Sequence, residues 1–364
     1  MFTIDRQDVD NPDRCRGSDM RRTRSTEIER FIVRTVLEAP GKVTQLTAAR
    51  FGISRQAAHR HVRRLVEEKV LVAQGATRNR TYSLLPLACV TETFPLQTAP
   101  SEDQVWRNYV SKLLSDMPDN VRDICQYGFT EMFNNVLDHS EGSTATINIE
   151  VNAAAIDMIV QDDGVGIFRK LCRDLVLEDE REALFELTKG KLTTDPKHHS
   201  GEGIFFSSRV FDFYGILSGR LAFVHKNRDS PEGDYLVEAK ADDILGTAIE
   251  MKISVTATRT LKEVFDRFSV DEDDYGFSRT GLVVQLMRRG NENLVSRSQA
   301  KRLLSGIDKF REVGLDFDGV ESIGQAFADE IFRVFVNDNP ETILVPIHAN
   351  DEVAKMIRRA KASL

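Results

Sequence analysis

One stretch of the chain places an acidic and an amide side chain at a helical spacing. Glu131 and Asn135 are four residues apart, and the apolar residues around them follow the period of an amphipathic helix from Phe129 to His139. Side chains at this spacing share one face of a helix, so the carboxylate and the carboxamide should be neighbours. Such a pair can orient a water molecule and supply an oxygen ligand to a cation.

A second polar group follows the next predicted strand, which runs from Ile156 to Val160. That strand leads into Gln-Asp-Asp-Gly-Val-Gly at residues 161 to 166. Gly164 and Gly166 carry no side chain, so the backbone there can approach a flat ligand closely. The carboxylate of Asp162 can then accept a hydrogen bond from the amino group of a base.

Together these pieces resemble the GHKL ATP-binding domain of gyrase, Hsp90, histidine kinases and anti-sigma-factor kinases. The resemblance covers roughly residues 101 to 258 and consists of four motifs in the order that the family has them. They are an N box with Glu131, Asn135, Asp138 and His139, an adenine box with Asp162, Gly164 and Gly166, a second glycine box at Gly201-Glu202-Gly203, and a late threonine in Gly246-Thr247. Four motifs in order are far more specific than any one alone.

The resemblance implies ATP and Mg²⁺ as cofactors and a role for each matching residue. Glu131 would activate a water or hydroxyl at the γ-phosphate as the catalytic residue, and Asn135 would bind the metal. The residues expected to bind the nucleotide are Asn135, Asp138, Asp162, Gly164, Gly166, Gly201, Gly203 and Thr247. Residues 168 to 200 would form a lid over the triphosphate, and His139 is expected to close its helix rather than touch phosphate.

Length and composition set wider limits. The 364 residues suffice for two or three domains, and 41% hydrophobic and 29% charged residues are ordinary for a soluble protein. No apolar run reaches membrane-spanning length, and Met1 to Met20 does not read as a signal peptide. The four cysteines lack the spacing of a zinc site or disulfide framework. We therefore expect a cytoplasmic protein without a membrane partner.

The charge is unevenly distributed along the chain. Residues 1 to 85 contain 17 Lys and Arg against 10 Asp and Glu, a net charge of +7, whereas the remainder contains 32 against 47, a net charge of −15. A basic N-terminal segment, the basic front at residues 1 to 85, followed by an acidic remainder predicts a local contact with a polyanion.

The basic front has the pattern of three helices and a hairpin. Helical stripes begin near Ile28 and Val43, and Ser54 is a suitable N-cap for a helix from Arg55 to Glu68. Two short strands follow, joined by a basic tip. This order resembles a winged helix-turn-helix of the bacterial regulator type, and it implies DNA contacts by Arg55, Gln56, His59, Arg60, Arg63, Arg78 and Arg80. A dimer is expected, because one recognition helix makes few phosphate contacts; a protein-interaction module is the alternative.

After the ATP-binding segment, strands alternate with helices from Gly281 to Ala360, which predicts a small α/β layer with a mainly parallel sheet. This segment resembles STAS-like domains related to anti-sigma-factor antagonists, which implies a protein partner. Ser322 aligns with the serine that partner kinases phosphorylate there, although Glu321 replaces the usual aspartate. Alternatively, Ser322 is only the N-cap of the helix that follows.

The predicted fold is therefore multidomain. It comprises a flexible tail at 1–20, a winged helix-turn-helix (α+β) at 21–85, a linker at 86–100, a GHKL α/β sandwich at 101–258, a linker with a helix at 259–279 and a STAS-like α/β domain at 280–364.

Two functions fit this organisation. In the first, Mg-ATP binding, with slow hydrolysis as a reset, controls DNA binding by a transcriptional regulator. In the second, the protein is a serine kinase that phosphorylates its own STAS-like domain or a partner.

Overall fold

The structure is a computed structural model that describes residues 12–76, 79–192, 201–227, 234–238, 244–269, 277–287 and 293–362. It is a mixed α/β protein whose described residues form three separate sheets. The chain divides into two compact units. The first comprises residues 1–89 and 150–156, and the second comprises residues 90–149 and 157–364.

The first unit contains three helices and a hairpin, as the sequence predicts. In order they are α1 (Pro12–Glu38), α2 (Val43–Phe51), α3 (Arg55–Glu67), β1 (Leu71–Gln74) and β2 (Thr81–Leu84), the two strands being antiparallel. Ser54 caps α3 as expected, because its hydroxyl accepts a hydrogen bond from the Ala57 amide at 3.1 Å. Ile32, Val62 and Leu71 are fully or almost fully buried in the core beneath.

The predicted tail is wrong in part, because α1 already begins at Pro12. Residues 12 to 20 lack an apolar stripe, so the sequence gives no periodic signal there. Extending an existing helix is nevertheless far easier than starting one, and proline suits the first helical position. Residues 1 to 11 lie outside the described part of the chain.

A seven-stranded sheet forms the scaffold of the middle of the chain. Its strand order is β3 (Ala88–Pro95), β4 (Thr144–Val151), β5 (Ala155–Asp162), β9 (Ile244–Ser254), β6 (Phe213–Gly219), β7 (Leu221–Lys226) and β8 (Asp234–Glu238). The accompanying helices are α4 (Glu102–Val105), which continues through a π-helical turn to Val110, α5 (Asp119–His139), α6 (Ile167–Leu175), α7 (Glu180–Lys189) and α8 (Gly203–Val210).

The predicted linker at 86–100 is also wrong, because it contains the edge strand β3. Val90 and Thr91 favour an extended backbone, and the side chain of Phe94 is 7% exposed. Prolines obscured this signal, although an edge strand tolerates them because one side of its backbone is unpaired.

The C-terminal segment has the predicted alternation of strands and helices. It contains β10 (Arg279–Val283), α10 (Arg297–Leu304), β11 (Glu312–Asp316), α11 (Gln325–Asp329), a π-helical turn (Glu330–Phe335), α12 (Val336–Asp338), β12 (Ile343–Ile347) and α13 (Asp351–Lys361). The three strands are all parallel, in the order β10, β11, β12. The expected parallel sheet is therefore confirmed.

The segment ahead of this sheet is not a simple linker. It contains the predicted helix, α9 (Leu261–Asp266), but its aromatic residues are part of a hydrophobic core. Phe277 is 4% exposed and lies 4.5 Å from the ring of Phe205 in α8, centroid to centroid. Residues 270 to 276 lie outside the described part of the chain.

Candidate functional site

The second unit encloses a cavity of about 270 Å³, close to the lower end of the usual range for small-molecule sites. Its lining comes from α5, from the end of β5 with α6, from α7 and α8, and from β9. The residues are Glu131, Met132, Asn135, Val136, His139, Ser140, Asp162, Gly166, Ile167, Lys170, Leu171, Leu187, Leu192, Gly201, Gly203, Ile204, Thr247 and Ile249. Seven residues predicted from the motifs thus line one cavity, although they are up to 116 positions apart in the sequence (131 to 247).

One face of α5 supplies the polar side of the cavity. Glu131, Asn135 and His139 follow one another at intervals of four residues and all line it. His139 is the last residue of α5, as expected, but it also lines the cavity, which was not expected. The spacing of four residues between Asn135 and His139 indicates this position, because it places both side chains on one face of the helix. Asp138, predicted to bind the nucleotide, is exposed and is not among the lining residues. It directly precedes His139, and one position along a helix rotates the side chain by about 100°, so the two side chains point in different directions.

Asp162 lines the cavity and is 5% exposed. Its Oδ1 accepts a hydrogen bond from the Gly164 amide at 2.8 Å. Burial raises the pKa of Asp162 above the ordinary value for an aspartate, while amide hydrogen bonds from Gly164 and Thr247 act in the opposite direction. The group is thus a buried acceptor held in place by the backbone.

Glycines pack closely around this carboxylate. A Cβ atom at Gly164 would overlap the carbonyl oxygen of Ser140, and a Cβ atom at Gly246 would overlap that of Asp162. Gly164, predicted to bind the nucleotide, is not among the residues that line the cavity. Its function in the structure is to let the backbone of the β5 end pass close to Ser140.

Thr247 connects β9 to the start of α6. Its hydroxyl accepts a hydrogen bond from the Ile167 amide at 2.9 Å, and the residue is 7% exposed while lining the cavity. The neighbouring Ser218 hydroxyl donates to the carbonyl of Gly246 at 2.9 Å. Thr247 therefore stabilises the first turn of α6, and that turn also lines the cavity.

Helices α7 and α8 and the residues next to them also line the cavity, through Leu187, Leu192, Gly201, Gly203 and Ile204. The predicted lid, residues 168 to 200, thus contains α6 and α7 rather than only irregular backbone. Residues 193 to 200, which include His198 and His199, lie outside the described part of the chain. We refer below to Leu187, Leu192 and Ile204 as the apolar wall.

Lys170 is a cationic lining residue that no motif indicated. Its ammonium lies 2.8 Å from Glu141 Oε1 and 3.0 Å from Asp174 Oδ2, and Arg173 also binds Glu141. These partners raise the pKa of Lys170 although its burial acts to lower it. The side chain is therefore charged and anchored at the rim. Only its position one turn after Gly166 in a helix could have suggested this.

The donor set of the cavity fits magnesium better than a closed transition-metal site. Within the described ranges, no group of three His, Cys, Asp or Glu side chains is arranged to hold a metal ion. Mg²⁺ usually takes only one or two protein oxygens and completes its shell with water and phosphate oxygens. Glu131 and Asn135 carry such oxygens, and both residues line the cavity.

The first unit carries a separate basic surface. Arg55, Gln56, His59, Arg60 and Arg63 are exposed on one side of α3, as predicted, and Arg80 is exposed in the hairpin. Arg63 is paired with Glu67 at 2.7 Å. Arg55, His59 and Arg80 line a groove of about 260 Å³ together with Gln45 and Tyr82. Arg78 lies outside the described residues.

Ser322 in the C-terminal sheet region is exposed. The alternative that it caps a helix is wrong, because α11 begins at Gln325 with Gly324 as its N-cap residue. The reason is a short bridge between Leu294 and Ile323, which keeps the backbone extended past Ser322. The Gly324 amide also donates to the Leu294 carbonyl at 2.7 Å.

None of the described helices combines the length and the apolar character needed to cross a membrane. No curated protein matches the chain. Residues 299–354 match the family described as a STAS-like domain of unknown function (DUF4325). The match extends from α10 into α13 and confirms the STAS-like character predicted for the C-terminal segment. In this segment the chain is therefore similar to the STAS-like family.

Proposed function

We propose that the chain is a DNA-binding regulator whose activity is controlled by Mg-ATP bound in the cavity of the second unit. The observation that carries this proposal is the convergence of Asp162, Asn135 and Glu131 on one cavity. They come from two motifs that resemble those of GHKL ATP-binding domains. The adjoining Gly166, Gly201, Gly203 and Thr247 come from the same set of motifs.

The lining offers two kinds of group to a nucleotide. The buried Asp162 carboxylate is an acceptor suited to the amino group of adenine. The Asn135 carboxamide would hold Mg²⁺, which would neutralise the negative charge of the phosphates. Glu131 lies one turn from Asn135 and would orient water at the terminal phosphate during slow hydrolysis.

DNA binding would be the output, through the basic side of α3 and the hairpin of the first unit. Arg55, Gln56, His59 and Arg60 are all exposed on α3, so DNA could reach their side chains. We propose that Gln56 and Arg60 contact base edges and that Arg80 contacts phosphate, within a homodimer on two half-sites. Nucleotide binding would change the population of the DNA-binding state.

Two titrations test this function. Calorimetry with ATP and MgCl₂ on the full chain measures nucleotide binding directly. Fluorescence anisotropy on labelled fragments of the upstream promoter region, with and without Mg-ATP, measures the coupling to DNA. A change in DNA affinity of about fivefold or more on adding Mg-ATP is expected. Absence of binding heat, or unchanged DNA affinity with saturated nucleotide, contradicts the proposal.

A serine-kinase activity is the second candidate, and the exposure of Ser322 favours it. A phosphate there would introduce about two negative charges close to the start of α11 and alter the binding of a protein partner. Incubation with γ-labelled ATP distinguishes the two functions. Label that stays on the protein and is lost in Ser322→Ala supports the kinase, whereas release of free phosphate alone supports the nucleotide-controlled regulator.

A further inference from the structure

The C-terminal sheet is joined to the cavity wall by buried polar contacts. Lys189, the last residue of α7, is 2% exposed, and its ammonium donates to the carbonyl oxygens of Arg302 and Ser305, both at 2.9 Å. These carbonyls belong to the C-terminal end of α10, where the helix dipole favours a cation. A third hydrogen bond, at 2.6 Å, goes to Glu186 Oε1. All three donors of the ammonium are therefore satisfied.

In a second contact the donor belongs to the C-terminal segment and the acceptor to α7. The hydroxyl of Thr280 in β10 donates to the carbonyl oxygen of Lys189 at 2.8 Å, and Thr280 is 2% exposed. This hydrogen bond satisfies a carbonyl at the end of α7 that has no partner within its own helix. The end of α7 is thus held from both sides by the C-terminal segment.

Aromatic packing extends the same interface to α8. Phe205 and Phe206 lie 4.5 Å and 5.0 Å from Phe277, and Phe277 lies 5.1 Å from Phe310 of the C-terminal segment. Gly190, directly after Lys189, packs so closely against Phe277 that a Cβ atom would lie 2.6 Å from the ring. Side chains packed at this density transmit a displacement to their neighbours.

The residues that make these contacts are immediate neighbours of the apolar wall. Leu187 is two positions before Lys189, Leu192 is three positions after it, and Ile204 directly precedes Phe205. A movement of the wall toward or away from a ligand must therefore change the contacts of Lys189, Gly190 or Phe205 with the C-terminal segment.

We propose that the STAS-like segment is the element that senses nucleotide in this protein, because its docking on α7 and α8 stabilises the wall that contacts the ligand. This inference rests on the proposed ATP-binding function. Docking and nucleotide binding are then linked equilibria, so each strengthens the other by the same factor. The docked arrangement is the one in which the wall is formed, so loosening it weakens nucleotide binding.

A matched pair of threonine variants isolates the linkage. Thr280→Val removes the hydrogen bond to Lys189. Thr342→Val is the matched control, because it removes a hydrogen bond of the same kind that does not involve α7. The buried Thr342 hydroxyl donates to the Phe310 carbonyl at 2.9 Å, and both residues belong to the C-terminal segment. Valine nearly preserves the shape in both. We expect Thr280→Val to weaken Mg-ATP binding about fivefold or more, and Thr342→Val to leave it unchanged.

A double variant tests the contact of the Lys189 ammonium with α10. Glu186→Gln/Lys189→Met neutralises the pair together and so avoids an uncompensated buried charge. It should weaken nucleotide binding further than Thr280→Val, while Lys301→Met, at an exposed lysine of α10, should not. Hydrogen exchange of the full-length wild type should show slower exchange in β10 and α10 when Mg-ATP is added.

The outcomes separate this inference from the proposed function. If the wild type binds Mg-ATP but Thr280→Val and the double variant bind it equally tightly, and β10 shows no added protection, the linkage is wrong while the ATP site stands. If the wild type shows no binding, the proposed function fails and the linkage fails with it. Equal weakening by Thr280→Val and Thr342→Val attributes the effect to general destabilisation and overturns the linkage.

Discussion

Gly203, the first residue of α8, lies directly against the carboxylate of Glu131, and a Cβ atom at Gly203 would overlap Glu131 Oε2. The two residues are 72 positions apart, and both line the cavity. The absence of a side chain at Gly203 therefore leaves the space that the carboxylate occupies.

This contact predicts the effect of Gly203→Ala. The backbone of Gly203 is helical, so alanine is tolerated there and only the Glu131 carboxylate must move. We expect Mg-ATP affinity measured by calorimetry to fall about tenfold, with little change in thermal unfolding. Gly281→Ala is the control, because a Cβ atom there meets no atom within 4 Å. Unchanged affinity in Gly203→Ala would show that the position of the Glu131 carboxylate does not affect nucleotide binding.

Asp162→Asn tests the acceptor carboxylate of the cavity. An amide places a donor where the carboxylate has only acceptors, so we expect ATP affinity to fall about 10- to 100-fold. Asp163→Asn is a neighbouring control. Asp163 does not line the cavity, and its Oδ1 accepts amide hydrogen bonds from Ser143 and Thr144, which asparagine preserves. Equal affinities of Asp162→Asn and the wild type would refute the assignment of Asp162 to the base.

The raised pKa of Asp162 predicts a pH dependence of binding. Only the ionised carboxylate is a pure acceptor, and burial raises its pKa above that of an exposed aspartate. The contribution of Asp162 to ATP affinity should therefore be constant well above this pKa and decline as the pH falls through it, beginning at a higher pH than an exposed aspartate would cause. Calorimetry across the acidic range measures the decline. The decline in affinity that is due to Asp162 should be absent in Asp162→Asn. Identical pH profiles of the two proteins would show that another group causes the decline.

The basic groove of the first unit predicts a change in salt dependence. Arg80→Ala should weaken binding to any duplex DNA and lower the slope of log affinity against log salt by about 0.9, the value for one phosphate contact. Arg34→Ala serves as control, because Arg34 is equally cationic but lies on α1 with 81% of its side chain exposed. Anisotropy at several salt concentrations measures both slopes. Equal slopes for the two variants would place the DNA elsewhere.

Much of the local structure follows from sequence patterns. The apolar period predicted α5, the turn and cap residues predicted α3, and the alternation of strands and helices predicted the parallel C-terminal sheet. The errors occurred where the pattern was weak. Prolines obscured β3, and a polar stretch obscured the start of α1.

The sequence alone determined which side chains are close along one element, because a helix or a turn sets the spacing of residues that are few positions apart. The helix face shared by Glu131 and Asn135 and the glycine turn after Asp162 are of this kind. Only the tertiary structure decided that Gly203 lies against Glu131, that Lys170 is at the cavity rim, and that Lys189 caps α10. Those contacts join elements that are far apart in the chain, and their geometry depends on how helices and sheets pack, which no local period encodes.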